Sequence, residues 1–241
     1  DKFKPESEGL GYTCRKGLKP ESPNQDSWFI VRMEKYSIYA VFDGHGQRGH
    51  DVSQFVKEAL PKLIVKHGVD KVGATKADMQ AMFKEVFSKT QSLISLADKT
   101  RQLSARMSGT TATVCIHDME HNKLWLAHVA DSTCVLGKRS GEGVQLTRDH
   151  KPELKEERSR IQKLGGRVIF DGYANHRVYA KNSPIPASTC RGAWGTSWGT
   201  SSAGFSGSLR STSGTSSPTT RSSSSAATAS GSSSRPTRPS T

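Results

Sequence analysis

The sequence predicts an α+β layered fold, with antiparallel hairpins and amphipathic helices in separate runs. Two runs rich in aromatic and β-branched residues, Trp28 to Val31 and Tyr36 to Phe42, flank the polar segment Arg32 to Lys35 and predict a hairpin. Helical periodicity fills residues 51–67 and 76–97, and strand-like alternation returns from Gly109 onward. No βαβ alternation occurs, which argues against a doubly wound parallel sheet.

The loop Lys19 to Asp26, punctuated by Pro20 and Pro23, leads into the first strand. Asp26 begins that strand and Asp43 finishes the next, and antiparallel pairing makes those two ends neighbours. Asp51 to His67 carries Val52, Phe55, Val56, Ala59, Leu60, Leu63 and Ile64 at helical spacing, with Asp51 as a first-turn or capping acid. Lys76 to Ala97 repeats the pattern with Met79, Met82, Phe83, Val86, Phe87, Leu93, Ile94 and Leu96 facing a core. Both methionines read as packing. Thr110 to His117, Lys123 to Ala130 and Thr133 to Lys138 predict three strands, with turns at Asp118 to Asn122 and Asp131-Ser132. Lys155 to Leu164 predicts a helix stopped by Gly165-Gly166.

Composition changes sharply near residue 183. Residues 183–241 hold 20 Ser, 10 Thr and five Arg, with no Asp, Glu or Lys. Such a segment has too few large apolar side chains to offset its ordering entropy, so disorder is expected there. Residues 1–182 hold 30 of the 35 basic and all 22 acidic side chains, so the folded part carries +8 rather than the whole chain's +13. Its Lys and Arg are mixed with acids, as in Lys151 to Arg160, which argues against nucleic-acid binding and leaves a preference for acidic or phosphorylated partners. Cys14, Cys115, Cys134 and Cys190 lie far apart without zinc spacing, the pattern of buried reduced thiols in a cytoplasmic or nuclear protein. No apolar run approaches bilayer-crossing length and no signal peptide opens the chain, so no membrane association is expected. The missing initiator methionine predicts that Asp1 lies inside a longer product.

Asp43-Gly44-His45-Gly46 ends the apolar run Tyr39 to Phe42. A carboxylate at a strand mouth, followed by an accessible glycine carbonyl, offers the oxygen ligands that magnesium and manganese take, and His45 can handle a proton. On turn chemistry alone the same residues read equally as an ordinary Asp-Gly turn, and Asp131 equally as a turn residue.

Six motifs in order resolve that ambiguity: N-Q-D at 24–26, V-F-D-G-H-G at 41–46, S-G-T-T-A at 108–112, A-D-S at 130–132, L-T-R-D-H-K-P at 146–152 and E-x-x-R-I-x-x-x-G-G at 157–166. Together they resemble the metal-dependent type 2C Ser/Thr protein phosphatases over roughly residues 10 to 180. The resemblance implies a four-layer α-β-β-α sandwich of two antiparallel sheets flanked by helices. It implies two Mg²⁺ or Mn²⁺ ions, with a third, weaker site, and a monomer acting on phosphoserine and phosphothreonine proteins. Asp43 would bridge both ions, Gly44 would offer its carbonyl, Asp26 would orient the water ligands, and Asp131 would serve the weaker site. Two ions about 3.5–4 Å apart activate a shared water for in-line attack on phosphorus. His45 would then protonate the leaving oxygen. Ala130 stands where the family has glycine, and His150 is expected to be structural. For the substrate phosphate the loop supplies Lys16 and Lys19, and no arginine near enough to be chosen.

Departure from the family begins after Val178. The expected S-R-x-x-G-D segment and two later metal aspartates are missing, and no acidic residue follows Arg177. A shifted reading frame accounts for this. Rebuilding each codon from the third base of one residue and the first two of the next, Ile185 to Thr196 permits Y-P-G-L-N-M-S-R-x-[LMV]-G-D. The expected organisation is therefore residues 1–182 as the N-terminal part of a catalytic domain, truncated after about residue 182, and 183–241 as a Ser/Thr-rich tail translated out of frame. Poor phosphatase activity follows, with an inactive pseudophosphatase fragment that binds phosphoproteins as the alternative.

Overall fold

The computed structural model describes residues 9–18, 23–69, 75–163, 165–173 and 176–179, and the backbone of 186–188. Of the tail expected to be disordered, the backbone of 186–188 is described and forms a short strand instead, while the rest, with Cys190, lies outside the described residues.

The predicted hairpin forms as β1 (Ser27–Arg32) and β2 (Tyr36–Phe42), paired antiparallel with Ser27 opposite Phe42. Asp43-Gly44-His45-Gly46 is not a turn: Gly44–Gly46 forms a short strand, β3. α1 (Gly49–Lys66) and α2 (Lys76–Lys99) follow, each within two residues of its predicted ends. α1 has no side-chain cap, so Asp51 is a first-turn acid only. Thr75 caps α2, accepting from the Asp78 N–H at 3.2 Å while its hydroxyl also meets the Asp78 carboxylate.

The single strand expected over Thr110 to His117 is two, β4 (Ser108–Thr110) and β5 (Ala112–Asp118). The break at Thr111 lets β4 pair with β3 while β5 pairs with β2. β6 (Lys123–Val129), β7 (Val135–Gly137) and β8 (Gly143–Gln145) follow, the last unforeseen. The main sheet runs β1-β2-β5-β6, antiparallel throughout. Further on, α3 (Lys155–Lys163) ends as predicted, with Gly165 at φ 80 and its N–H bonded to the Gln162 carbonyl. Then β9 (Arg167–Phe170), β10 (His176–Tyr179) and β11 (Pro186–Ser188) form a second antiparallel sheet, with α3 packed on β9. Antiparallel sheets flanked by helices make this an α+β fold.

Alternation along the strands sorts the two faces of the main sheet. Ile38, Ala40, Phe42, Val114, Ile116, Trp125 and Ala127 pack with Val56, Leu60 and Ile64 of α1 and Met79, Phe83, Val86 and Phe87 of α2. Tyr39, Cys115, Leu124 and Leu126 face the other way and gather with Cys134, Leu136, Val144 and Leu146. Two expectations fail at the surface. Leu93 and Leu96 are exposed although Ile94 and Ala97 of the same turns are buried, and Cys14 is exposed while Cys115 and Cys134 are buried free thiols.

Candidate metal and phosphate site

Ser27 opposite Phe42 is the last rung of the β1–β2 ladder, so the residues one step beyond, Asp26 and Asp43, meet. Each carboxyl group shifts the ionisation of the other. Burial, then the negative charges of Asp26 and Asp131, push the Asp43 carboxyl up to about 6. Asp26 is raised by partial burial and held back by Asp43. Two acidic side chains at one corner, one of them with its ionisation pushed up, mark a place that suits a hard cation, because the ion relieves the same repulsion. The donor chemistry therefore fits magnesium or manganese. The set is nevertheless short: among the described residues no three His, Cys, Asp or Glu side chains group as a metal site. Asp131 acts on Asp43 through its charge without completing such a group.

Main-chain contacts fix this corner. The Gly44 N–H donates to the Gln25 carbonyl at 3.2 Å, and the Gln25 amide donates to the Gly46 carbonyl at 2.9 Å. On the other side, the Asp43 N–H donates to Thr111 Oγ1 and the Thr111 N–H to the Asp43 carbonyl, both at 2.9 Å. Thr111 Oγ1 also lies 2.6 Å from Ser132 Oγ, and Thr113 Oγ1 donates to the Ser132 carbonyl at 2.7 Å. Buried Thr111 thus ties the Asp43 strand to the Asp131-Ser132 turn. The sequence marked its motif but no role for it, because the bond depends on the break between β4 and β5.

His45 sits on β3 opposite Gly109. Burial lowers its pKa to about 4, against a hydrogen bond to the Asp43 backbone. The imidazole is therefore neutral near pH 7 before substrate arrives, and an adjacent phosphate dianion raises its basicity. The His45 ring resonances are expected to stay flat from about pH 5.5 to about pH 8; a midpoint near the free-histidine value would show a solvated ring instead.

Asp131 follows Ala130, which occupies the left-handed region at φ 71. The turn therefore keeps the glycine-type geometry despite the alanine. Ala130→Gly is expected to raise stability by about 1 kcal/mol in thermal unfolding, since an L side chain is strained there. Unchanged or lower stability would mean that the turn does not hold this φ.

The phosphate-binding loop is only partly described. Lys19 lies outside the described residues. Lys16 is exposed on the segment that Cys14 anchors: Asn24 Nδ2 donates to Cys14 Sγ at 3.0 Å, and Sγ stands 3.9 Å from the Asp26 carbonyl. Arg15, the residue after Cys14, is carried on the same anchored segment. Arg15 was passed over because a loop's path is not written in its spacing.

Paired acidic oxygens at the end of an antiparallel sheet are donors of the kind hard cations take. The chain belongs to the protein phosphatase 2C family, whose sequence profile matches residues 21–179. It is similar to "Probable protein phosphatase 2C 55" of Oryza sativa subsp. japonica, 34% identical over 166 residues, covering 67% of this chain and 40% of that protein. A similar relation holds to "Protein phosphatase 1L" of Bos taurus, 29% identical over 140 residues, covering 56% of this chain and 37% of that one. The chain thus spans about 40% of the length of these relatives. Among solved structures, a C. elegans sex determining protein shares the fold at TM-score 0.61 and 22% identity, over 79% of this chain and 45% of that one. A serine-threonine phosphatase 2C from Toxoplasma gondii does so at TM-score 0.50 and 16% identity, over 67% and 57%.

Proposed function

We propose that this chain carries one half of a metal-dependent protein phosphatase centre that hydrolyses phosphoserine and phosphothreonine. The meeting of Asp26 and Asp43 at the end of the β1–β2 ladder carries the reading. Asp26, Asp43 and the Gly44 carbonyl would hold two Mg²⁺ or Mn²⁺ ions, with Asp131 serving a weaker third site. Bound there, the ions supply a nucleophile at neutral pH and neutralise charge on the phosphoryl group. Thr111 keeps the Asp43 backbone from drifting, and His45 sits beside Asp43 to pass a proton to the leaving oxygen. Lys16 and Lys19 attract the substrate phosphate as point charges. The chain acts as a monomer in the cytoplasm or nucleus. Among the described residues no helix is long and apolar enough to cross a membrane.

The absence of a three-donor group among the described residues favours weak catalysis, and the phosphoprotein-binding module as a second reading. Residues 1–182 would be the folded part and 183–241 an out-of-frame tail. Manganese-dependent phosphate release from a phosphothreonine peptide is expected, abolished by Asp43→Ala and slower than that of an intact relative by about 100-fold or more. Phosphopeptide binding without turnover would establish the module instead. Release at the relative's rate would show that this chain holds a complete centre.

A further inference from the structure

The D-H-K-P motif supplies a histidine that phosphoryl transfer does not use. His150 bonds to the main chain of Ala130 on both sides. Its N–H donates to the Ala130 carbonyl at 3.1 Å, and the Ala130 N–H donates to His150 Nδ1 at 3.2 Å. The second bond requires an unprotonated Nδ1, which places the ring proton on Nε2. The ring is itself fixed by stacking on His128, with centroids 4.7 Å apart and planes 13° from parallel. His128 is 1% exposed at the end of β6, so the stack has a rigid floor.

What this clamp holds is a strained residue. Ala130 at φ 71 does not occupy the left-handed region by preference, and strain of that kind persists only where surrounding bonds over-determine it. Asp131 is the next residue. On its other side Ser132 is tied to Thr111 and Thr113. The direction of the Asp131 carboxylate is therefore set between two anchors, His150 before it and the threonine pair after it.

We propose that His150 is a positioning residue: through Nδ1 it holds Ala130 in the left-handed turn that presents the Asp131 carboxylate to the Asp43 corner. This rests on the reading of Asp131 as a ligand of the weaker cation site. His150 touches neither substrate nor reacting atoms. Its partner is the peptide, and the ring of His128 is the support.

Two substitutions separate positioning from packing. His150→Phe keeps a flat ring on His128 and loses the acceptor. His150→Asn loses the stack and returns an acceptor oxygen near the place of Nδ1. Each would be made in the full 241-residue chain. Manganese affinity would be measured by calorimetric titration, and protection of the Ala130 amide by hydrogen exchange. Positioning predicts that His150→Phe weakens the weaker manganese step by about tenfold and exposes the Ala130 amide, while His150→Asn stays within about twofold and keeps protection. The reverse order, with Phe harmless and Asn damaging, overturns it and makes His150 a packing residue. Asp131→Asn is the control. If it leaves manganese binding unchanged, Asp131 is not a ligand and the underlying reading fails. If it weakens binding while His150→Phe alters neither readout, the positioning inference alone fails. A wild-type chain that takes up no manganese overturns both.

Discussion

Asp43→Asn is expected to stabilise the cation-free chain by about 1–2 kcal/mol at about pH 7.5 while removing its manganese uptake. In the folded chain the Asp43 carboxyl is raised to about 6, by burial first and then by the charges of Asp26 and Asp131. A raised carboxyl means that the folded state binds the proton more tightly than the unfolded one. Stability from this group is thus fully present below the ordinary carboxylate range and is lost as pH rises through about 6. At neutral pH the folded chain therefore pays for an ionised pair, and solvent screening at this half-open corner reduces the cost to the figure above. Asparagine keeps the shape and removes the charge. Thermal unfolding should show the wild-type midpoint falling between about pH 4 and about pH 7 and a flatter profile for the variant. A variant less stable than wild type at neutral pH would contradict the assignment of strain to Asp43.

Gly44→Ala is the second large effect, and its sign is opposite. A Cβ on Gly44 would stand under 3.0 Å from Gln25 O, Gly49 O and Gly49 C, all backbone atoms that cannot swing away. The crowding arises because β3, the start of α1 and the Asp26 loop converge at this point, held by the Gly44 N–H bond to Gln25. A cost of at least about 3 kcal/mol is expected, together with loss of cation binding as the Gly44 carbonyl moves. Denaturant unfolding checks the first part. A near-neutral Gly44→Ala would mean that the corner is looser than the backbone contacts indicate.

The site was legible where geometry follows from strand ends. Asp26 and Asp43 meet because antiparallel pairing makes the start of one strand the neighbour of the finish of the next, and both strands were readable from β-branched and aromatic runs. The methionines Met79 and Met82 were correctly placed in the core by period alone. What stayed hidden depends on contacts between distant segments. A single run of β-forming residues across 110–117 carries no sign that Thr111 turns aside to bond Asp43, since the break is dictated by β3 pairing with β4. Leu93 and Leu96 share the helical period of the core residues, yet they are exposed while their neighbours Ile94 and Ala97 are buried. The hairpin β9–β10 leaves Ile169, Phe170 and Tyr173 exposed, and so lacks the clear inside–outside alternation that reveals a strand. Ala130 shows the converse: a residue that disfavours the turn, held in it by His150.

A cation site at the Asp26–Asp43 pair has a direct signature in metal uptake. Calorimetric titration of the 241-residue chain with Mn²⁺, on wild type and Asp43→Asn, tests it most directly. Uptake by the wild type is expected near neutral pH, weakening by about tenfold per pH unit below the Asp43 value of about 6 as protons compete, with none by the variant. Uptake that survives Asp43→Asn, or that ignores pH through this range, would contradict it.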